Sequence, residues 1–259
     1  MTHHVAVPLL SDDVRDLEFL CAEAWPAMVS ERLGDWLLRA AGGFTGRANS
    51  ALVLGDPGVP VPDALATVID FSAKHGITPK VQVVWGDPTE AAIAAAGWTV
   101  DTGHSGEHGV VVLTGPLDLD ERAGTVLDHP TPAWWRLVSG TETPAPAERH
   151  VLAGGALTGF GVTAVHGETV AAVRGGVAGD VLLVARLAVR ADARRHGHAR
   201  RLLGTLAAWG RGHGARRMVL QVTAGNTAAL RLYETLGCVE HHRYQYWTPS
   251  NVSCVLLHW

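Results

Sequence analysis

The chain opens with apolar positions at Val14, Leu17, Leu20 and Cys21, a helical spacing placed behind Ser11-Asp12-Asp13, whose side chains can cap the bare amides of a first turn. Residues 36–39 and 49–54 read as strands on either side of the glycine-rich stretch 42–46, which predicts a hairpin. Pro62-Asp63 starts a second helix running to about Ala73, residues 81–85 form a buried strand, Asp87-Pro88 opens a third helix closed by Gly97, and a strand at 109–114 ends the half. Prolines 130, 132, 144 and 146 mark residues 116–149 as a linker holding one short helix near Trp134-Trp135-Arg136-Leu137. Three consecutive strands follow near 156–165, 169–175 and 181–189, turned at His166-Gly167 and Gly179-Asp180. Helix and strand then alternate: a helix over 199–209 with Ala199, Leu202, Leu203 and Leu206 on one stripe, a strand at 218–222, a helix over 226–236 stopped by Gly237, and a strand pair near 243–247 and 252–257. The sum is an α/β chain built on a mixed sheet.

Composition supports a folded protein, since 259 residues at 47% hydrophobic content can fill a sizeable core. No run approaches the ~20 apolar residues that span a bilayer, and the start lacks a basic, signal-like lead, so a cytoplasmic location without membrane partners is expected. Cys21, Cys238 and Cys254 are too few and scattered for a disulfide framework or a metal site, and the histidines show no ligand spacing. No metal is expected.

Charge divides the chain near Gly115-Pro116. Residues 1–116 carry six Lys+Arg against fourteen Asp+Glu, a balance of −8, whereas residues 117–259 carry fifteen against eleven, a balance of +4. The basic residues of the second half are all arginine and bunch at Arg190, Arg194, Arg195, Arg200 and Arg201, which suits a compact phosphorylated ligand. A nucleic-acid surface would be broader and carry exposed aromatics or a basic tail, so none is expected.

The chemistry-bearing segment is Leu187-Ala188-Val189, followed by Arg194-Arg195-His196-Gly197-His198-Ala199: a strand, a tight loop and a helix start. A helix N-terminus presents bare N–H groups and roughly half a positive charge, so a loop threading Gly197 closely can wrap a diphosphate in main-chain donors. Only small residues fit where phosphate presses on backbone, which accounts for Gly197 and Ala199. The Lys-Ser/Thr of a nucleotide-triphosphate loop and the three spaced glycines of a dinucleotide loop are both missing. A plain capped surface helix is the alternative at this point.

The wider pattern bears on that choice. Arg194-x-x-Gly197-x-Ala199, the amphipathic helix after it, Met218-Val-Leu-Gln-Val222, Asn226-x-x-Ala229 and Leu232-Tyr233-Glu234-x-Leu236-Gly237 resemble, over about 60 residues, the GNAT superfamily of Gcn5-related N-acetyltransferases. The resemblance implies that the loop holds the diphosphate of acetyl-CoA, that Asn226 contacts its pantetheine arm, and that Tyr233 stands beside the thioester sulfur. The first half has the same coarse element order and resembles a degenerate copy of that fold, giving a tandem arrangement: a substrate-side or structural unit at 1–116, then a linker and cofactor-binding catalytic unit at 117–259. Where a cofactor loop would belong, the first half has Gly55-Asp-Pro-Gly-Val-Pro-Val-Pro62, and proline has no N–H to donate. Trp36-x-x-Arg39 with Gly43-Phe-Thr-Gly-Arg47-Ala-Asn49-Ser50 further resembles two-domain actinobacterial GNAT proteins, some of which are N-acetylglutamate synthases.

Acyl transfer to an amine needs a neutral nitrogen, donors for the developing oxyanion and a proton for the leaving thiolate. Backbone N–H groups near Leu187 are the expected oxyanion donors, and Tyr233 is the expected acid. Many family members carry a carboxylate on the preceding strand, but 181–189 holds only Arg186 as an ionisable residue. Glu168 ranks first as general base, ahead of His166 and Asp180, with solvated turn positions as the plain reading of each. Arg39, Arg47 and Asn49 are the substrate-binding candidates, the arginines pairing with the carboxylate of an amino-acid acceptor, or merely making surface salt bridges. A small-molecule amine is the expected partner. A cationic amine or a protein lysine facing the acidic half, and a non-catalytic acyl-CoA sensor, are the alternatives, with the chain a monomer or homodimer.

Overall fold

The computed structural model describes residues 11–106 and 108–250, without the side chains of His104 and Ser105. Helix α1 (Asp12–Ala24) starts where predicted, with Ser11 extended and its hydroxyl accepting from the Val14 amide at 3.4 Å. The first hairpin differs from expectation. Strand β2 (Trp36–Ala40) pairs along its whole length with β1 (Val29–Leu33), whereas β3 (Ala51–Val53) meets β2 only at Leu37 and Leu52. The middle of β1 is exposed on both faces, so it carries no apolar alternation to read.

Helix α2 (Val61–Lys74), β4 (Val81–Val84), α3 (Glu90–Ala95), β5 (Trp98–Val100), α4 (Thr102–Ser105) and β6 (Val110–Gly115) complete the first half. The expected linker is more structured than its prolines suggest: it holds β7 (Thr125–Leu127), α5 (Pro132–Ser139) and α6 (Pro146–Ala153). Pro132 and Pro146 stand in the opening turns of their helices, where a missing N–H costs nothing. Strands β8 (Thr158–Val165), β9 (Glu168–Ala178) and β10 (Val181–Val189), helix α7 (His198–Gly212), β11 (Arg217–Thr223), α8 (Thr227–Glu234) and β12 (Val239–Pro249) follow. The strand predicted at 252–257 lies outside the described residues.

All the strands among the described residues join one mixed sheet in the order β1-β2-β3-β4-β12-β6-β11-β10-β9-β8-β7, with β5 paired to β12 off this path. The two halves exchange strands. β6 of the first half lies between β11 and β12, antiparallel to both, while β12 runs on to pair with β4 and β5. Strand β10 shows why the centre is dry: Val181, Leu183 and Ala185 enter the core under α1 and α5, and Leu182 and Val184 enter the core under α7. Period-two alternation with both faces apolar specifies a central strand, and each buried Leu or Val contributes roughly 1.5–3 kcal/mol of transfer free energy. No helix among the described residues is long and apolar enough to cross a membrane.

Candidate active site

The site begins where two parallel strands part. β10 pairs with β11 from Val181–Arg217 to Val184–Leu220 and no further. On its other side the register with β9 shifts between Ala185 and Ala188, and Arg186 takes φ +58°. Such a bulge bends a strand and re-aims its side chains, so backbone from Ala185 onward has no ladder partner on the β11 side. Ladder pairing to β11 is therefore missing beside Leu187, the position at which the sequence places the oxyanion donors.

After Val189 a short 3-10 turn (Ala191–Ala193) leads to Arg195 at φ +65° and then to Gly197 at φ +75°, ψ 5°, the residue before α7. A left-handed backbone here suits glycine, and a Cβ on Gly197 would meet the Arg201 guanidinium at 3.2 Å. The first amides of α7 have no intrahelical acceptor and face the same end. Arg190 is bound to Glu168 at 2.6 Å and Asp192 at 2.7 Å, and Arg200 to Glu121 at 3.1 Å. Arg194, Arg195 and Arg201 have no carboxylate partner among the described residues; Arg201 donates to the His196 carbonyl, and Arg194 and Arg195 turn toward a cavity.

A cavity of about 750 Å³ lies against this loop, and Leu187, Ala188, Val189, Arg194, Arg195, Gly197, His198, Ala199, Asn226 and Tyr233 all line it. His196 does not; its ring bonds the Ala193 carbonyl at 3.3 Å. His198 Nδ1 is buried without a hydrogen-bond partner at the same wall. An adjoining cavity of about 370 Å³ shares Leu187, Ala188, Asn226, Ala229 and Tyr233, and adds Arg47, Arg186 and Gln221. The two cavities meet at the gap between β10 and β11.

Asn226 and Tyr233 stand on both walls because they bracket one helix. Asn226 caps α8, its Oδ1 accepting from the Ala229 amide at 3.2 Å. Tyr233 is 6% exposed, and burial first, with the nearby Cys238 thiol adding, pushes its phenol up to about 12. It therefore holds its proton throughout the neutral range.

Arg47 donates to Gln221 Oε1 at 3.0 Å, and its guanidinium lies 4.2 Å from the centre of the Trp25 ring. Arg186, left unassigned by the sequence, sits 5.2 Å from the Phe44 ring and 3.9 Å from Glu148. Desolvation lowers its pKa most, Glu148 opposes that, and Arg47 adds to it. Among the described residues, the second cavity thus has two guanidinium groups and no carboxylate in its wall.

Three expected site residues are not brought there. Arg39 is buried, donating to the Ser50 carbonyl and hydroxyl and to Gln82 Oε1 at 2.8 Å, and lines neither cavity. Asn49 is an internal brace: it accepts from the Ala41 and Gly43 amides and donates to the Phe44 and Thr45 carbonyls, shaping the loop that carries Arg47. Glu168 is 68% exposed at the β8–β9 turn and committed to Arg190, so it is not placed to take an amine proton. His166 occupies that same turn at φ +51°, and Asp180 pairs with Arg217 at the far end of β10. The residues that sequence reasoning missed are Arg186, Gln221 and Trp25, together with Leu137 and Val138 of the supposed linker, which wall the cavities.

A family model described as the C-terminal region of the probable histone acetyltransferase Rv0428c matches residues 11–247. The probable histone acetyltransferase Rv0428c of Mycobacterium tuberculosis is 29% identical over 252 residues, covering 95% of this chain and 77% of that protein. Among solved structures, a GCN5-related N-acetyltransferase from Kribbella flavida superposes with a TM-score of 0.67 at 18% identity, covering 90% of this chain and 94% of the other. A tandem GNAT protein from the clavulanic acid biosynthesis pathway superposes at 0.56 with 14% identity, covering 93% and 96%. At these identities the two structures speak to the fold.

Proposed function

This chain belongs to the Rv0428c C-terminal family and is a GNAT-type N-acetyltransferase, and from that premise we propose that it moves an acetyl group from acetyl-CoA to the primary amine of an acceptor bearing a carboxylate, such as an amino acid. The observation that carries this reading is the pair of cavities meeting at the β10–β11 gap, one walled by the Gly197 loop and the other by Arg47 and Arg186.

The first cavity fits the cosubstrate. The amides opening α7 and the guanidinium groups of Arg194 and Arg195, neither bound to a carboxylate among the described residues, gather anion-side donors on one wall beside the orphaned His198 Nδ1, with apolar Leu187, Ala229 and Leu232 beyond them for an alkyl arm. Acetyl-CoA would supply an acyl group activated as a thioester. The backbone N–H of Leu187, on the side of β10 that β11 no longer covers, would hold the carbonyl oxygen as it gains charge, a role worth ~10²–10³ in rate per donor. Tyr233 keeps a proton at its phenolic oxygen for the departing sulfur.

Arg47 comes from the first half of the chain and Arg186 from the second. Their convergence supports a substrate-side role for residues 1–116 and a catalytic role for 117–259. Positive charge concentrated in a low-dielectric wall disfavours a polyamine or aminoglycoside and favours a bidentate carboxylate. A second reading, a protein lysine acceptor, is favoured by the name of the Mycobacterium tuberculosis relative and by the −8 balance of the first half. Calorimetry separates enzyme from sensor: acetyl-CoA should bind to wild type, weaken at least tenfold in Gly197→Val, and be turned over when an amine is added. Binding without turnover on any amine supports a sensor instead.

A further inference from the structure

A run of hydrogen bonds leaves the acceptor cavity at Gln221 and reaches solvent through Glu18, His242, His241 and Asp13. Gln221 and Arg47 line that cavity on one side and a small void of about 10 Å³ on the other. Glu18, Arg39 and Gln82 also bound the void, which has the size and the polar partners for one water. Glu18, 1% exposed, accepts from Gln82 Nε2 at 2.7 Å and from Gln221 Nε2 at 3.3 Å, and lies 3.0 Å from His242 Nε2. His242 Nδ1 is 2.8 Å from His241 Nδ1, and His241 Nε2 is 2.7 Å from Asp13 Oδ2. Asp13, 60% exposed, also meets Arg217, which in turn reaches Asp180.

Facing nitrogens make a hydrogen bond only when one of them carries the hydrogen, so these three contacts need three protons. Two arrangements supply them. In the first, Glu18 is ionised, neutral His242 donates to it from Nε2, and His241 is an imidazolium donating to both His242 and Asp13. In the second, Glu18 is protonated and donates to His242 Nε2, His242 donates from Nδ1 to His241, and His241 donates from Nε2 to Asp13. Moving two protons along their own hydrogen bonds converts one into the other. The excess proton then stands either beside the void or beside solvent.

We propose that Glu18, His242, His241 and Asp13 form a relay that removes the proton an acceptor ammonium must lose before its nitrogen can attack. The inference rests on the acetyl-transfer reading. The ammonium gives a proton to water in the void, and that water passes one to Glu18. Glu18 hands it to His242 Nε2 as the His242 Nδ1 proton moves to His241, and His241 releases its Nε2 proton past Asp13 to solvent. This leaves His242 protonated at Nε2 and His241 at Nδ1, and the chain resets after product has left: a solvent proton taken up at His241 Nε2 drives the same shifts in reverse, and Glu18 returns one proton to the water of the emptied cavity. One proton enters for each that leaves, matching the single proton that net amide formation from an ammonium releases. The Arg47–Gln221 bond is the partition between cavity and void, so an acceptor carboxylate that engages Arg47 draws it off Gln221 and opens the path.

The test compares wild type with Glu18→Gln, His242→Asn and Asp13→Asn, using the amine that wild type acetylates fastest and a hydroxylamine-type acceptor that is already neutral at pH 7. The relay predicts that Glu18→Gln and His242→Asn lower kcat for the ordinary amine about 10- to 100-fold at pH 7, with the loss fading as pH approaches the amine's own pKa. The neutral acceptor should be nearly unaffected, acetyl-CoA affinity unchanged, and the exposed Asp13→Asn variant only a few-fold slower. Unchanged pH–rate profiles in the Glu18 and His242 variants overturn the relay, as does a loss equal at every pH and for both acceptors, which marks a structural role. A wild type inactive on every amine overturns the acetyl-transfer reading and the relay with it, whereas an active wild type with indifferent variants overturns the relay alone.

Discussion

Arg47 and Gln221 are joined by a 3.0 Å hydrogen bond across 174 positions of sequence, tying the loop after β2 to strand β11 at the wall of the second cavity. The bond needs both halves of the chain, and so does the cavity it lines.

Arg47→Ala should raise KM for a carboxylate-bearing acceptor about 10- to 100-fold while leaving acetyl-CoA affinity unchanged, since losing one partner of a charge-assisted bidentate contact costs ~1.5–3 kcal/mol. Arg47→Lys should recover little of the loss, because an ammonium cannot reproduce the planar fork over Trp25. Steady-state kinetics in both substrates check this.

Tyr233→Phe should lower kcat about 100-fold with acetyl-CoA binding intact, as measured by thiol release and calorimetry. The phenol also leaves a stability signature. Its folded pKa of about 12 lies above the unfolded value of ~10, so its contribution to stability is whole below pH 10 and is lost as pH climbs through 12. The stability of wild type should therefore fall relative to Tyr233→Phe by about 2–3 kcal/mol across that window, read from denaturant midpoints at each pH.

Gly197→Val should cost acetyl-CoA affinity at least tenfold without unfolding the protein. A branched side chain at φ +75° is strained by roughly 1–2 kcal/mol and fills the space where phosphate would approach the amides. A far-ultraviolet spectrum like that of wild type, with weakened binding, is the expected pair of results.

We propose that neither half folds alone. A fragment of residues 117–250 would lack β6 between β11 and β12, leaving unpaired edges and the apolar faces of Val110, Val111, Val112 and Leu113 unreplaced. It should be aggregated or unfolded by circular dichroism and size-exclusion chromatography, and co-expression with residues 11–116 should rescue it.

The shape of the Gly197 loop is legible in sequence because its physics is local: a strand, a small residue in a left-handed turn, and a helix start. The seven-residue spacing of Asn226 and Tyr233 placed both beside it for the same reason. What escaped reading depends on distant partners. The exchange of β6 and β12 leaves no trace in either strand's alternation, since each would suit its own half equally well. Arg186 lines the second cavity where β10 slips register against β9. Glu18 reads as one more acidic residue of an amphipathic helix, and its burial comes from Gln221 and His242, 203 and 224 positions away. Adjacent His241 and His242 should point to opposite faces of a strand, yet a register shift between Glu240 and His242 brings their rings together. Arg39 and Asn49 have the residue types of ligand-facing groups, but their hydrogen bonds are spent inside the protein.

The most direct test is a thiol-release assay with acetyl-CoA across matched pairs of amines, each amino acid beside its decarboxylated counterpart, with spermidine and a lysyl peptide included. At least one amino acid should be acetylated about 100-fold faster than its partner lacking the carboxylate, with Arg47→Ala erasing the difference. Equal or faster acetylation of the decarboxylated and cationic amines would contradict the account.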